Sequence, residues 1–293
     1  ADKAAIHIND THPSMCIPEM MRILMDDYNY SWEKAWEITI KVFAYTNHTI
    51  MAEALEKWSV DLFAPILPRI YTIIREINNR FCQYCNEIGA ASDLESMSII
   101  HNNMIRMANL CIVGSYNVNG VSGLHTDILK ADTFEAFNRI YPGKFNNVTN
   151  GIAHRRWLGQ ANPELTNYLN GLLGGDFIKD LSNIEELLKY ADDKTVLADL
   201  EKIKYTKKEQ LAKYIKDANG INVDINSIFD VQVKRLHEYK RQLLNALHIV
   251  YLYRQIKFNG LRPRPRTFIF AAKASSGYVM AKNIIKFICT LSE

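Results

Sequence analysis

Apolar and polar positions change rhythm several times along this chain. Residues 4–8 read as a short strand, and Asn9-Asp10-Thr11-His12-Pro13-Ser14 is turn chemistry. Ser14 is placed to cap a helix whose apolar face is Ile17, Met20, Met21 and Leu24. A second helical period covers residues 32–45, through Trp32, Ala35, Trp36, Ile40 and Phe43; a third covers 60–86 and a fourth 97–113. The first half is therefore expected to be helix-rich, with Trp32, Trp36 and the Met-rich stretch 15–25 in its core. The period lapses between Tyr141 and Gly151, where Pro, Gly and Asn cluster, and a domain boundary is expected there, dividing the chain into 1–149 and 150–293.

The second half begins with short, charged helices from 163 to 218. It then alternates: a β-rich run at Ser227–Val233, a helical pattern from His237 to Lys257, a second β run at Thr267–Ala272, and a helix bearing Ala281, Ile284, Ile285 and Ile288. Strand–helix–strand–helix order predicts an α/β fold with a parallel, doubly wound sheet. Such sheets bind ligands beyond the carboxyl ends of their strands, which singles out the loops at 233–240 and 272–278.

Composition narrows the class. With 48% hydrophobic and 23% charged residues and a net charge of +3, the chain has material for a real core and no charge excess suited to nucleic acid. No apolar run is long enough to span a bilayer. The cysteines number 5, which fits reduced thiols; Cys82 and Cys85 are read as two helical thiols rather than a redox or zinc pair. The chain lacks an initiator Met and stops inside a helical pattern, so it is expected to be a fragment.

Chemistry concentrates in Lys234-Arg235-Leu236-His237-Glu238-Tyr239-Lys240-Arg241, where four basic residues and a histidine stand between a strand and a helix. Arg offers a bidentate fork for phosphate and Lys a point charge, so the cluster reads as an anion site or as a solvated basic face. Lys273-Ala274-Ser275-Ser276-Gly277 follows the second strand but lacks the Walker and G-x-G-x-x-G spacings. His7, Asp10 and His12 do not have a standard metal-ligand spacing, and no metal is expected. Asn47-His48-Thr49 is read as the end of an apolar helix, with neutral groups of the kind sugar hydroxyls need. Glu53 and Glu56 are read as two carboxylates on one helical face, which is the wrong geometry for a glycosidase pair flanking a substrate.

Seven segments, in one order and over nearly the whole chain, resemble glycogen/starch phosphorylases: Ile8–Ser14, Ala44–Thr49, Ala54–Trp58, Val118–Val121, Thr149–Ile152, Arg155–Trp157 and Phe229–Gln242. The resemblance implies a retaining glycosyltransferase of the α-1,4-glucan phosphorylase type, with two Rossmann-like domains (the GT-B fold) and a cleft between them. Only part of that fold would be present: residues 1–149 as the end of the N-terminal domain and 150–293 as the start of the cofactor-binding C-terminal domain. It implies catalytic roles for His48, Arg235 and Lys240, with Arg235 and Lys240 on the substrate phosphate. His48 and Asn150 would contact the glucosyl unit, chiefly its primary hydroxyl, and the His48 main-chain carbonyl would face the anomeric carbon. Asp10 and His12 would border the sugar, and Glu56 would lie further along the cleft. Lys234 would contact the phosphate of pyridoxal phosphate and Trp157 would line that cofactor's pocket; the cofactor-bearing lysine lies outside this chain. The implied partners are an α-glucan and inorganic phosphate, with no nucleic acid and no membrane, in a cytoplasmic homodimer.

The chain departs from the family pattern at Ala153-His154, where Thr-Pro is usual, and at Ser276, where Pro is usual. The piece by itself is expected to be inactive. Two other readings remain beside it: a non-catalytic glucan- or phosphate-binding module of this length, and a sugar-nucleotide glycosyltransferase of similar fold.

Overall fold

Four parallel strands organise the first half. In the computed structural model, which describes residues 3–175 and 177–292, β1 (Ile6–Asn9) leads into α1 (Cys16–Arg22), α2 (Trp32–Val42) and β2 (Phe43–Asn47). An excursion follows: β3 (Lys57–Ser59), α3 (Val60–Ile66), α4 (Pro68–Glu87), α5 (Leu94–Met97), β4 (Ile100–His101) and β5 (Met104–Arg106). The chain returns through α6 (Met107–Val113), β6 (Asn117–Gly120), α7 (Gly123–Ile128), α8 (Glu135–Ile140) and β7 (Phe145–Asn147). The main sheet runs β1-β2-β6-β7, every pair parallel, and β3-β5-β4 form a small antiparallel sheet. Ile8, Tyr45, Val118 and Phe145 carry the strands into a core completed by Ile17 and Met21 of α1, the Ile70–Phe81 face of α4, and α6, whose residues are all buried.

Four of these elements differ from the sequence expectation, each for a local reason. The helix expected over 32–45 stops at Val42. The residues after it form β2, buried along its length, and a buried parallel strand shows no alternation to separate it from a preceding apolar helix face. Asn47-His48-Thr49 accordingly ends a strand, not a helix. The 60–86 helix is two helices, because Pro68 starts a new one at its first turn. Of the 97–113 run only Met97, which ends α5, and 107–113 are helical; between them Asn102 and Asn103 take φ of 48° and 59° and turn a hairpin between β4 and β5. Ser14 is not the cap of α1: that position is Met15, without a side-chain bond.

The chain divides into two compact units, Ala1–Ile152 and Ala153–Glu293. In the second, α9 (Pro163–Leu173) starts on the Asn162 cap and α10 (Lys194–Asn219) on the Asp193 cap. With 26 residues, α10 is far longer than the short helices expected there. Next come β8 (Ile228–Val233), α11 (Gln242–Asn259), β9 (Arg266–Ala271) and α12 (Val279–Ser292). β8 and β9 pair in parallel from Ile228↔Arg266 to Val233↔Ala271, the expected strand–helix–strand unit. The fold is thus mixed α/β and helix-rich, with parallel sheet in both units. Among the described residues no helix is long and apolar enough to cross a membrane.

Candidate functional site

All four strands of the main sheet point the same way, so their carboxyl ends share one edge. That edge carries a row of neutral amides: β1 ends on Asn9, β2 on Asn47 and β7 on Asn147, and β6 ends on Asn119-Gly120. Asn47 is the hub. Its Oδ1 accepts from the Thr49 backbone N–H at 3.0 Å, which fixes the amide orientation, and its Nδ2 donates to the buried Tyr45 hydroxyl at 3.1 Å. The same Oδ1 lies 2.9 Å from His125 Nε2, so that ring nitrogen carries the proton and donates. Burial, followed by the nearby His48, lowers the His125 pKa and holds the ring neutral. His48 Nε2 lies 2.5 Å from Asn9 Oδ1. Asn119 donates to Thr46 Oγ1 at 3.3 Å and accepts from Val148 N at 2.6 Å, and Asn147 donates to the Gly120 carbonyl at 2.9 Å.

The expected sugar residues gather along this edge. Asp10 takes a φ of 62° and turns the chain, with its N–H on the Thr46 carbonyl at 3.0 Å and its Oδ1 accepting from Thr11 N at 2.8 Å. Glu56 arrives from a distant part of the sequence: its Oε2 accepts from the buried Thr11 hydroxyl at 2.6 Å. It lies in a loop between a 3-10 turn at Ala52–Ala54 and β3, not on a helical face shared with Glu53. Thr11, His12, Glu56 and Trp58 line a cavity of about 280 Å³ with an apolar floor of Leu62, Phe63 and Ile66. Asn150 follows β7 and ties its N–H to the Val121 carbonyl at 3.1 Å, leaving its exposed side chain free of backbone duty. Asp10, His12, His48, Glu56 and Asn150 thus lie on the carboxyl side of one sheet. An array of neutral amides, imidazoles and two carboxylates is suited to reading polyhydroxylated molecules.

In the second unit the loops after β8 and β9 meet, as the strand order predicts. Arg235, His237, Lys240, Lys273, Ser275 and Tyr278 line a cavity of about 450 Å³. The basic segment is not the start of a long helix. Glu238–Lys240 form a 3-10 turn, Arg241 takes a φ of 61°, and α11 begins only at Gln242. Two glutamines brace the turn: Gln242, buried, donates to the Arg235 carbonyl at 3.0 Å, and Gln232 donates to the Lys240 carbonyl at 3.0 Å. The His237 ring packs between Tyr239 at 4.6 Å and Tyr278 at 5.1 Å, and the Tyr278 hydroxyl donates to Glu238 Oε2 at 2.6 Å. Among the described residues none of Arg235, Lys240 and Lys273 pairs with a carboxylate. Arg235 and Lys273 are exposed and Lys240 is half-buried, so three solvent-accessible cations line one cavity and are placed to receive an anion.

Two expected site residues lie elsewhere. Lys234 is exposed and does not line this cavity. Trp157, 72% exposed on a π-helical turn at Arg155–Gln160 with Arg156 over its ring, does not line this cavity either. Sequence reasoning singled out Asn47 within Asn47-His48-Thr49 but not its role as the hub, and it assigned no role to Asn9, Asn119, Asn147, His125, Gln232 or Gln242. The available signal was that three of the strands' apolar runs end on asparagine.

The carbohydrate phosphorylase family model matches residues 1–293. The chain belongs to the carbohydrate phosphorylase family. It is similar to the glycogen phosphorylase of Bacillus subtilis, 50% identical over 99% of this chain and 37% of that protein. It is also similar to the muscle form from Bos taurus, 46% identical over 100% of this chain and 35% of that protein, and to the glycogen phosphorylase of Haemophilus influenzae, 46% identical over 98% and 36%. The chain thus spans a little over a third of the length of these carbohydrate phosphorylases.

Proposed function

We propose that the protein carrying this chain is an α-1,4-glucan phosphorylase, a hexosyltransferase that cleaves glycogen, starch or maltodextrin with inorganic phosphate to give glucose 1-phosphate. The observation that carries the reading is the cavity in which Arg235, Lys240 and Lys273 converge without carboxylate partners, in a chain whose relatives are glycogen phosphorylases. In the reaction the bond from the anomeric carbon to the leaving sugar's oxygen breaks, and a phosphate oxygen bonds that carbon on the same face. The leaving oxygen keeps the electron pair and takes a proton from phosphate. The anomeric carbon becomes cationic on the way. No carboxylate nucleophile is required, because the incoming phosphate itself pairs with that cation.

The roles divide between the units. Arg235 grips phosphate through its fork and Lys240 adds a point charge, holding a dianion in place. His48 and Asn150 hydrogen-bond the primary hydroxyl of the glucosyl unit, and the His48 carbonyl faces the developing charge. Asp10 and His12 border the sugar, and Glu56 lies further along the bound glucan. The row of asparagines with His125 holds the backbone that presents these groups. The cluster of Arg235, Lys240 and Lys273 carries more positive charge than one phosphate needs and would also hold the phosphoryl end of pyridoxal phosphate; the resemblance assigns Lys234 and Trp157 to that cofactor as well, although neither lines this cavity, and the motif of its covalent lysine is not in this sequence. That cofactor, when bound, supplies a second phosphoryl group for proton relay. The family resemblance further supports a cytoplasmic homodimer.

The test uses the intact protein. Arg235→Ala removes two charge-assisted hydrogen bonds, each worth about 1.5–3 kcal/mol, so the KM for phosphate in maltodextrin phosphorolysis is expected to rise at least about a hundredfold. The KM for maltodextrin stays unchanged. An unaltered phosphate saturation curve would overturn the assignment.

A further inference from the structure

On the edge of the main sheet opposite the asparagine row, at the amino ends of β6 and β7, lies a cavity of about 790 Å³. Its walls are aromatic, with Trp32 and Trp36 from α2, Tyr84 from α4, Tyr116 before β6 and Tyr141 before β7. Tyr84 and Tyr141 already stack at 6.2 Å with an interplanar angle of 8°. Two polar groups in this lining lack partners. Ser115 is 2% exposed, yet its hydroxyl has no hydrogen-bond partner. Lys144 is half-buried with its Nζ 4.3 Å from the Tyr141 ring centroid, and among the described residues no carboxylate pairs with it. The other two cations of the lining are compensated, Arg80 by Glu33 and Glu76 and Lys41 by Glu37. Ser115 and Lys144 precede neighbouring strands, and the Lys144 carbonyl accepts from Val118 N at 2.9 Å, so the two unsatisfied groups flank one strand pair.

A desolvated ammonium without a counter-charge is unfavourable, and burial pushes the Lys144 pKa down to about 8. An arriving anion would supply the missing charge. The volume is in the range that encloses a small molecule, and flat aromatic walls favour a flat ring. We propose that this cavity is a binding site for a small aromatic anion, its ring against the tryptophan and tyrosine walls and its charged group on Lys144. The site stands apart from the proposed phosphorolysis and does not depend on it.

The test titrates the intact protein with naphthalene-2-sulfonate and with 2-naphthol, its neutral counterpart, following tryptophan fluorescence. The sulfonate should bind at least about tenfold more tightly than the naphthol. Lys144→Met should abolish that preference without weakening naphthol binding, and Lys144→Arg should preserve it. Equal binding of the two probes, binding of neither, or an unchanged sulfonate affinity in Lys144→Met would each overturn the proposal; Lys144→Arg shows whether loss in Lys144→Met comes from the charge or from misfolding.

Discussion

Replacing Asn47 with leucine, which has nearly its shape, tests the asparagine hub. The change strips partners from three groups: the Tyr45 hydroxyl at 3.1 Å, the Thr49 N–H at 3.0 Å and His125 Nε2 at 2.9 Å. Tyr45 is fully buried, so its hydroxyl finds no water and bears a penalty of about 1–3 kcal/mol. The half-buried Thr49 and His125 can rehydrate and lose about 0.5–1.5 kcal/mol each. The sum is about 4 kcal/mol, or about a thousandfold change in the equilibrium for opening the carboxyl end of β2. Native-state hydrogen exchange of the Tyr45 and Thr46 amides in the intact protein measures that opening. Tyr45→Phe supplies the control. With the hydroxyl gone, Asn47→Leu should cost about 1–2 kcal/mol less, because both members of the buried pair have been replaced by apolar groups. If the two substitutions simply add, the amide does not support the hydroxyl and the hub is misread. Glucan turnover should fall with the loss of protection, since the His48 backbone is continuous with Asn47.

His125 makes stability depend on acid. Its folded pKa lies below the ordinary value of 6.5, so as pH falls from about 6.5 the unfolded chain takes up the proton first and the folded state loses stability, until pH passes below the folded pKa. His125→Gln should flatten the difference between melting temperatures measured at pH 7.5 and 5.5; an equal drop in both proteins would remove His125 from the account. Gly120 is placed against α7, where an added Cβ would collide with the Thr126 side chain and lie 3.0 Å from its Cα. Gly120→Ala should therefore destabilise by about 1–3 kcal/mol and disturb the β6–α7 corner; a melting temperature matching the parent's would show that the corner yields.

The second half was the more legible part. Apolar runs at 228–233 and 266–271 are separated by a helical period, and the parallel pair followed from that order. The loops expected to hold an anion meet in one cavity because strands of like direction end together. The first half was read as helix-rich, which holds, but of its main sheet only the first strand was read, at residues 4–8. β1, β2, β6 and β7 have three to five residues each, and β2 follows α2 without a break. β2 is buried along its length and shows no alternation, and the other three strands are too short to establish a period of two.

The order of residues alone determined the family resemblance, the position of the basic segment and the identity of most proposed sugar contacts, because motifs are local and survive in one dimension. Tertiary structure decided the rest. Glu56 joined Thr11 and His12 through a contact spanning 45 residues, His125 was held neutral by burial and by His48, and Lys144 was left without a counter-charge beside an unpartnered serine. Burial and the absence of a counter-ion are properties of surroundings assembled from remote parts of the chain, so no local pattern could have contained them.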